Sequence, residues 1–182
     1  TDTNTGTALG VDTVSGVETL SFNDGDLAVA TTAGGAVTLT GSGVDDEITL
    51  VGSVGATLEG TGGADTITGA GGADTITGSD GDDTLEGGAG NDVIVGGADT
   101  DTVVFAGDKG DFTFAVASDG TLTVTDTNTG TALGVDTVSG VEKLSFNDGD
   151  LTVTTTAGGA VTLTGSGLDD EITVVGSVGV TL

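Results

Sequence analysis

An aspartate returns every nine residues across the centre of the sequence, and this period constrains the fold more than any other feature. Each aspartate lies two residues before a lone aliphatic residue. The aspartates are Asp65, Asp74, Asp83, Asp92 and Asp101, and the aliphatic residues are Ile67, Ile76, Leu85, Ile94 and Val103. A period of nine fits neither an amphipathic helix, which repeats every 3.6 residues, nor a strand, which alternates every second residue. The fold must therefore have a structural repeat of its own that is nine residues long.

The pattern extends over eight consecutive nonapeptides, with one extra residue at position 50. They are residues 32–40, 41–49, 51–59, 60–68, 69–77, 78–86, 87–95 and 96–104. In each, about six residues are turn formers and the last three, such as "TIT" or "VIV", suit a short strand. Two nonapeptides then make one flattened coil, and repeats n and n+2 stack as parallel strands about 4.8 Å apart.

Such stacking would place the aspartates in two columns. The first column holds Asp46, Asp65, Asp83 and Asp101, and the second holds Val37, Ala56, Asp74 and Asp92. Two carboxylates about 5 Å apart repel by roughly 3 kcal/mol at the effective dielectric of a protein surface. The chain has only two basic residues, Lys109 and Lys143, to offset this repulsion. A hard divalent cation is therefore expected between the coils.

Calcium suits this donor set because it accepts about six to eight oxygen ligands in flexible geometry. Zinc would favour cysteine or histidine, and the sequence contains neither. The predicted metal site residues are Asp65, Asp74, Asp83, Asp92, Asp101, Asp46, Asp170, Asp82, Asn91 and Asp99, with the glycines Gly63, Gly72, Gly81 and Gly90. These glycines allow the turns to aim main-chain carbonyls inward. Several Ca²⁺ ions are expected in each repeating unit.

Two of these assignments have an open alternative. Asp46 and its counterpart Asp170 either bind calcium or serve the turn alone, because Val44 occupies the place of a glycine and the next repeat lacks an aspartate. The stretch Asp126–Asp136 is similar to a D-x-N-x-G calcium loop. An ordinary turn closed by an aspartate side chain explains that stretch better.

The nonapeptides resemble the repeats-in-toxin (RTX) family, whose consensus is G-G-x-G-x-D-x-U-x. "GGAGNDVIV" (residues 87–95) matches every position, whereas "GGADTDTVV" has Asp99 in place of the fourth glycine. The resemblance covers residues 60–104 well and the earlier nonapeptides more loosely. It implies an all-β parallel β-roll, calcium bound between turns, and export to extracellular, calcium-rich surroundings, commonly by type I secretion.

A second, longer repeat runs through the chain. Residues 125–182 repeat residues 1–58 with 52 of 58 positions identical, which gives a period of 124 residues. We therefore expect a slice of a tandem array: the end of a spacer (1–31), a calcium-binding β-roll (32–104), a hairpin-rich spacer (105–155) and the start of the next roll (156–182). The predicted hairpins turn at Asp119-Gly120 and at Asn147–Asp150.

Charge and core size limit the partners and the route of folding. A formal charge of −27 opposes binding to nucleic acid or to an anionic membrane surface, and no apolar run approaches the length of a membrane span. One buried aliphatic side chain per nonapeptide contributes roughly 2–3 kcal/mol. Ordering nine residues costs on the order of 9–18 kcal/mol. Folding is therefore expected to depend on calcium.

Three functions are compatible with the sequence, and none is enzymatic for this segment because the familiar nucleophile–base pairs need histidine or cysteine. The favoured one is a structural repeat of a secreted array, filament, surface layer or adhesin, with copies of itself as partners along the chain and laterally. The alternatives are the export and folding roll of a type I-secreted enzyme, and an ice- or glycan-binding threonine face. Val93, Val95 and Val104 either pack against the Phe112/Phe114 hairpin or form a lateral interface with another chain.

Overall fold

The computed structural model describes residues 19–21, 26–31, 37–128, 133–155, 160–165 and 173–174. Within these residues the structure is all-β, as predicted, apart from one turn of 3₁₀-helix, η1 (Lys109–Asp111). The strands are β1 (Thr19–Ser21), β2 (Asp26–Thr31), β3 (Val37–Thr40), β4 (Glu47–Thr49), β5 (Ala56–Gly62), β6 (Thr66–Thr68), β7 (Thr75–Asp80), β8 (Thr84–Glu86), β9 (Val93–Ala98), β10 (Thr102–Val104), β11 (Phe112–Val116), β12 (Leu122–Asp126), β13 (Val135–Ser139), β14 (Lys143–Phe146), β15 (Gly149–Thr155), β16 (Val161–Gly165) and β17 (Thr173–Val174).

The nonapeptides form a parallel β-roll of four coils, built by β3 to β10. Successive strands alternate between two sheets, so that β3, β5, β7 and β9 pair in one sheet and β4, β6, β8 and β10 in the other. Ile76 lies beside Leu58 on one side and Ile94 on the other, an advance of 18 residues per coil (76 − 58). The predicted stacking of repeats n and n+2 is therefore confirmed.

The core of the roll is narrow because each short strand turns one aliphatic side chain inward. The central side chains, such as Ile67, Ile76 and Leu85, are completely buried, and the threonines beside them face outward. Alternation along a strand explains this arrangement, since residues two apart share a face. In the five nonapeptides from residue 60 to 104, the sixth-place aspartate therefore points inward, like the aliphatic residue two positions later.

Both predicted hairpins are present in the spacer. Val116 pairs with Leu122 around Asp119-Gly120, and Phe146 pairs with Gly149 across a two-residue turn. The spacer core is aromatic: Phe105, Phe112, Phe114 and Phe146 pack together with ring centroids 5.2–6.1 Å apart. The Phe112 and Phe114 rings point into this core and are buried.

The sequence offered two alternatives for the outward valines of the roll, and one of them was that the spacer hairpin packs against them. Val93 remains 44 % exposed, so the prediction that the Phe112/Phe114 hairpin covers it is wrong. The hairpin directs its rings inward because burying an aromatic ring among other rings removes more apolar surface from water than covering a small exposed valine. Val95 and Val104 are half-buried.

The spacer returns to the roll and adds one more pair of parallel strands. β13 pairs with β9, placing Val138 beside Ile94, and β14 pairs with β10, placing Leu144 beside Val103. We call residues 134–144 the closing coil. The predicted limits of roll and spacer stay predictions, but parallel stacking continues into this part of the predicted spacer.

The described strands form two sheets, one of ten strands in the order β1-β2-β3-β5-β7-β9-β13-β12-β11-β17 and one of seven in the order β16-β15-β14-β10-β8-β6-β4. In the part of the chain that the structure describes, no helix is long and apolar enough to cross a membrane.

Candidate metal centre

Five of the predicted aspartates lie in the interior of the roll. The side chains of Asp65, Asp74, Asp83, Asp92 and Asp101 are at most 1 % exposed. Each precedes the central residue of a short strand by two positions, so strand geometry forces it onto the inward face. Acidic side chains are almost never buried to this degree without a partner. The arrangement therefore needs a specific explanation.

One oxygen of each aspartate joins a hydrogen-bonded ladder along the coil axis. In the first column, the main-chain N–H of Asp46 donates to Asp65 Oδ1, that of Asp65 to Asp83 Oδ1, and that of Asp83 to Asp101 Oδ1, at 2.8–3.0 Å. This ladder holds the carboxylates in register between successive coils.

The second column follows the same rule on the opposite turn of the coil. The N–H of Ala56 donates to Asp74 Oδ1 at 2.7 Å, and that of Asp74 donates to Asp92 Oδ1 at 2.8 Å. The two columns predicted from the nine-residue period are therefore present in the structure, with Ala56 in the place where an aspartate is missing.

The second oxygen of each carboxylate is buried and, among the described residues, has no hydrogen-bond partner. This holds for Oδ2 of Asp65, Asp74, Asp83, Asp92 and Asp101. An unpaired polar atom in the interior loses its hydration without compensation, and the loss is greater for a charged group. Five such oxygens in two columns point to a cation rather than to a chance defect.

Each Oδ2 faces the first glycine of its own nonapeptide. A Cβ on Gly60 would collide with Asp65 Oδ2 and would lie 2.9 Å from the carbonyl oxygen of Gly78, one coil above. A Cβ on Gly78 would collide with Asp83 Oδ2 and would lie 2.8 Å from the carbonyl oxygen of Gly96. The first glycine thus leaves a small oxygen-lined space that any side chain would fill.

The fourth glycine brings a second set of carbonyl oxygens between the coils. Gly81 and Gly90 adopt φ angles of +118° and +145°, and a Cβ on either would collide with the carbonyl oxygen of Gly63 or Gly72 one coil below. Only glycine combines this backbone conformation with so close an approach. Asp99 has a φ of +77° at the equivalent place, the left-handed conformation expected for a residue that replaces the glycine.

Burial changes the proton affinity of the columns. Desolvation raises the pKa of Asp65 and of Asp101 to about 6, against the opposing effect of the main-chain hydrogen bond that each accepts. Burial likewise raises the pKa values of Asp74, Asp83 and Asp92. Without a cation, the roll therefore holds its carboxylates in a medium that disfavours their charge.

Side chains alone do not form a complete cation site. Across the described residues, no group of three or more histidine, cysteine, aspartate or glutamate side chains comes together. A cation between the coils would take its remaining ligands from main-chain carbonyls, such as those of Gly63, Gly72 and Gly78. A donor set of carboxylate and carbonyl oxygens, with a buried oxygen lacking any other partner, fits calcium.

The remaining predicted ligands lie in different surroundings. Asp82 and Asn91 are exposed, and their Oδ1 atoms accept the main-chain N–H of Thr100 and of Val135, one coil above. Asp99 is also exposed. These three residues lie on the outer side of the turns rather than in the columns.

Asp46 differs from the five buried aspartates because its Oδ2 has partners. The main-chain N–H and the hydroxyl of Ser42 donate to it at 2.6 and 3.0 Å. Asp170 lies outside the described residues. In the Asp126–Asp136 stretch, Asp126 Oδ1 accepts the N–H of Asn128 two residues later, which is the turn closed by an aspartate side chain favoured above.

The closing coil extends both columns by one position, which the sequence interpretation missed. Asp136 Oδ1 accepts the N–H of Asp92 at 2.9 Å, and Glu142 Oε2 accepts that of Asp101 at 3.0 Å. The carbonyl oxygen of Gly140 and Asp101 Oδ2 both face Gly96. In the coil below, the carbonyl oxygen of Gly96 and Asp83 Oδ2 face Gly78 in the same way. Burial raises the pKa of Asp136 to about 7.

A sequence signal for these residues exists, but its spacing is irregular. "GVDTV" at 134–138 and "GVEKL" at 140–144 keep the order glycine, acid and aliphatic residue, six residues apart instead of nine. The turn between them is three residues shorter than in the roll, and glutamate, one methylene longer than aspartate, reaches the same amide. The nine-residue period could not reveal a coil that breaks it.

Comparison with known families agrees with this geometry. A family model described as the RTX calcium-binding nonapeptide repeat (4 copies) matches residues 51–85, 68–103 and 77–110. Residues 51–110 therefore carry repeats of this type, and the resemblance drawn from the sequence is confirmed for that segment. No curated protein matches the chain.

Proposed function

We propose that the chain is a calcium-binding structural repeat of a secreted extracellular array, filament, surface layer or adhesin, and that its roll folds on binding calcium. The observation that carries this proposal is the pair of columns in which five buried carboxylate oxygens have no hydrogen-bond partner in the described part of the chain. These columns lie in the segment that matches the calcium-binding repeat. Desolvating an unpaired carboxylate costs several kcal/mol. A divalent cation between coils would offset this cost.

The ligands proposed for calcium are the sixth-place aspartates and the carbonyls of the first and fourth glycines. The aspartates are Asp65, Asp74, Asp83, Asp92 and Asp101. The bound ion neutralises neighbouring carboxylates and links one coil to the next. In a narrow core with one aliphatic residue per strand, this link does what a disulfide does in other small secreted domains. The roles of Asp82, Asn91, Asp99, Asp46 and Asp170 as ligands remain predictions.

An extracellular location and a tandem array account for the rest of the sequence. Calcium sites in extracellular modules commonly need about 10⁻⁴–10⁻³ M calcium, which favours folding after export. The period of 124 residues supports an array, because a repeated unit with a repeated spacer extends a particle along one axis. We assign no catalytic role, since the matched repeats are of a calcium-binding type and the sequence has no histidine or cysteine.

The two alternative functions, an export roll and a threonine binding face, predict different features of the protein. An export roll of a secreted enzyme would be followed or preceded by a catalytic domain, which the complete reading frame would reveal. A threonine face for ice or glycans would need a uniform outer surface. The register instead aligns Thr57 and Thr75 with Val93, and Thr68 with Glu86, so the face changes character within the roll.

Calcium titration tests the proposal directly. Circular dichroism in chelator should show a largely disordered chain, and millimolar calcium should induce β-structure with several ions bound by calorimetry. Magnesium at the same concentration is the control, because its strict octahedral geometry and tight hydration suit carbonyl-rich sites poorly. A chain that is equally folded in chelator would overturn the proposal.

A further inference from the structure

Among the described residues, β1 and β4 each have one edge with no neighbouring strand. β1 ends the ten-stranded sheet and β4 ends the seven-stranded sheet. Each edge offers main-chain N–H and C=O groups to another strand, and proteins rarely leave such edges without cover. The repeat of 124 residues identifies what covers them.

The second copy of the sequence contains the equivalents of these strands. When 124 is added to the residue numbers, β1, β2 and β3 correspond to β14, β15 and β16, and Thr49 of β4 corresponds to Thr173 of β17. The register is the same in both copies, since Leu20 pairs with Leu27 and Leu144 pairs with Leu151. The two copies therefore fold alike in this region.

In the second copy, both edges have partners from the preceding unit, one from its roll and one from its spacer. β14 pairs in parallel with β10, the last strand of the roll. β17 pairs in parallel with β11 of the spacer hairpin, with Thr173 beside Thr113. The strands equivalent to the two open edges are thus covered by β10 and β11.

We propose that consecutive copies join through both sheets at once, and that the sheets exchange roles at every junction. The three-stranded meander belongs to the ten-stranded sheet as β1-β2-β3 and to the seven-stranded sheet as β14-β15-β16. The edge strand makes the opposite move, from β4 in the seven-stranded sheet to β17 in the ten-stranded sheet. The partner of the open edges β1 and β4 is a preceding copy of the same unit, which supplies its β10 and β11. This inference rests on the tandem array proposed above.

A shared strand makes such a junction stiff. β14 is the last strand of the closing coil and also the first strand of the next meander, so it belongs to both copies. Its Phe146 ring stacks on Phe105, the residue that follows β10, with centroids 5.4 Å apart. Lys109 is buried and pairs with Asp148 at 3.3 Å, fixing the turn that follows β14. The copies are not beads on a flexible linker.

The strand count gives the length of one unit along the axis. The described residues of one unit, 19 to 142, form thirteen strands, β1 to β13, which are divided between two sheets. Half of thirteen is 6.5 strand spacings, and at about 4.8 Å each the unit advances about 31 Å. The structure repeats fully only after two units, because the sheets have then exchanged twice.

Engineered disulfides test the junction in this chain. The sequence has no cysteine, so a pair at Thr113→Cys and Thr173→Cys forms an isolated reporter on β11 and β17. Neighbouring Cα atoms in a sheet lie at a distance that a disulfide spans. The control pair is Thr113→Cys with Thr164→Cys, which lies on β16 in the other sheet. In calcium, mild oxidation of dilute protein should close the first pair almost completely and the control pair not at all.

The result separates this inference from the proposed function. If calcium induces β-structure in both variants but the first pair closes no more readily than the control, the junction is wrong and the calcium-binding roll stands. If calcium induces no structure, the proposed function fails first. A disulfide that forms equally in chelator would overturn the junction as well, because it would not depend on the fold.

Solution scattering from longer chains gives a second test that needs no substitution. Adding one and then two units of 124 residues should increase the maximum dimension by about 31 Å each time, with an unchanged cross-section. Freely hinged beads would instead grow with the square root of the number of units. Growth of the second kind would overturn the continuous sheets.

Discussion

The roll and the spacer solve the same folding problem with different chemistry. In the roll, each strand from β4 to β10 has one buried isoleucine, leucine or valine, and five buried carboxylates have an Oδ2 atom without a hydrogen-bond partner among the described residues. The spacer has a cluster of four phenylalanines, and its lysines pair with Asp148 and Asp150. The spacer therefore carries more of its stability within its own side chains, whereas the roll depends on a cation. The comparison predicts where each perturbation acts.

Removing calcium should have the largest effect, and it should fall on the roll. We expect main-chain amides in β5 to β10 to lose hydrogen-exchange protection in chelator, because the coils are linked through the carboxylates. Amides of the β11–β12 hairpin should keep more of their protection, since contacts between phenylalanine rings hold its core. Exchange mass spectrometry with and without calcium measures both. An equal loss of protection in the two regions would contradict the prediction that the roll depends on calcium more than the hairpin does.

Substitution of one aspartate should weaken calcium binding according to its place in the column. Asp83 lies between Asp65 and Asp101, whereas Asp74 has Ala56 on one side. Asp83→Asn should therefore damage two sites and Asp74→Asn about one. The calcium concentration at the midpoint of folding should rise at least about tenfold for Asp83→Asn. Loss of a residue that only hydrogen-bonds to a metal ligand already lowers metal affinity by about ten- to a hundredfold.

Asparagine is chosen because it keeps the oxygen that accepts the N–H of the neighbouring coil. The control is Asp80→Asn, an exposed residue in the same turn as Asp83, which should leave the midpoint unchanged. Calorimetric stoichiometry checks the number of sites lost. If Asp74→Asn and Asp83→Asn behave alike, calcium is not shared between successive coils.

Truncating the aromatic core should destabilise the spacer whatever the calcium concentration. Phe114 is completely buried and meets Phe146 edge to face at 6.1 Å. Phe114→Ala should cost about 3–5 kcal/mol in the free energy of unfolding. Val93→Ala, on the exposed side of the roll, should change it by less than about 0.5 kcal/mol. Urea unfolding at saturating calcium measures both changes. A cost for Phe114→Ala that depends on the calcium concentration would contradict the prediction.

Acid should partly replace calcium in the roll. The pKa of Asp65 and Asp101 rises from 3.8 to about 6 on folding, so the folded chain binds protons that the unfolded chain has released. In chelator, stability should therefore be greatest below about pH 4 and should fall as the pH rises through about 6. Exposed carboxylates titrate near pH 4, so a transition centred near 6 identifies the buried columns. Melting that is independent of pH between 4 and 7 would contradict this prediction.

The smallest effect concerns backbone strain in the turns of the roll. Ala70 has a φ of +78° at the second place of its nonapeptide, where the consensus has glycine. Ala70→Gly should stabilise the roll by about 0.5–1 kcal/mol, because the relief of strain exceeds the added entropy of the unfolded chain. Ala73→Gly, in the same nonapeptide but without a positive φ, should instead destabilise it by about 0.5–1 kcal/mol. Thermal melting in calcium compares the two.

The sequence by itself determined the period, the parallel stacking and the inward aspartates. A nine-residue repeat with glycine, aspartate and one aliphatic residue leaves few structures open, since turns and short strands must alternate. The same local rules identified the hairpins at Asp119-Gly120 and after Phe146. These features depend on neighbouring residues, so they can be derived from short stretches of sequence.

Only the tertiary structure decided how the roll ends and how copies meet. Asp136 and Glu142 join the columns because their strands pair with β9 and β10 across 44 and 41 residues, a separation that no local pattern encodes. The inward turn of Phe112 and the exposure of Val93 likewise depend on which surfaces remain free after the strands have paired. Long-range strand pairing is selected by the sum of many contacts across the whole core. The sequence pattern therefore predicted each coil of the roll, but not the strands β13 and β14 that pair with its last coil.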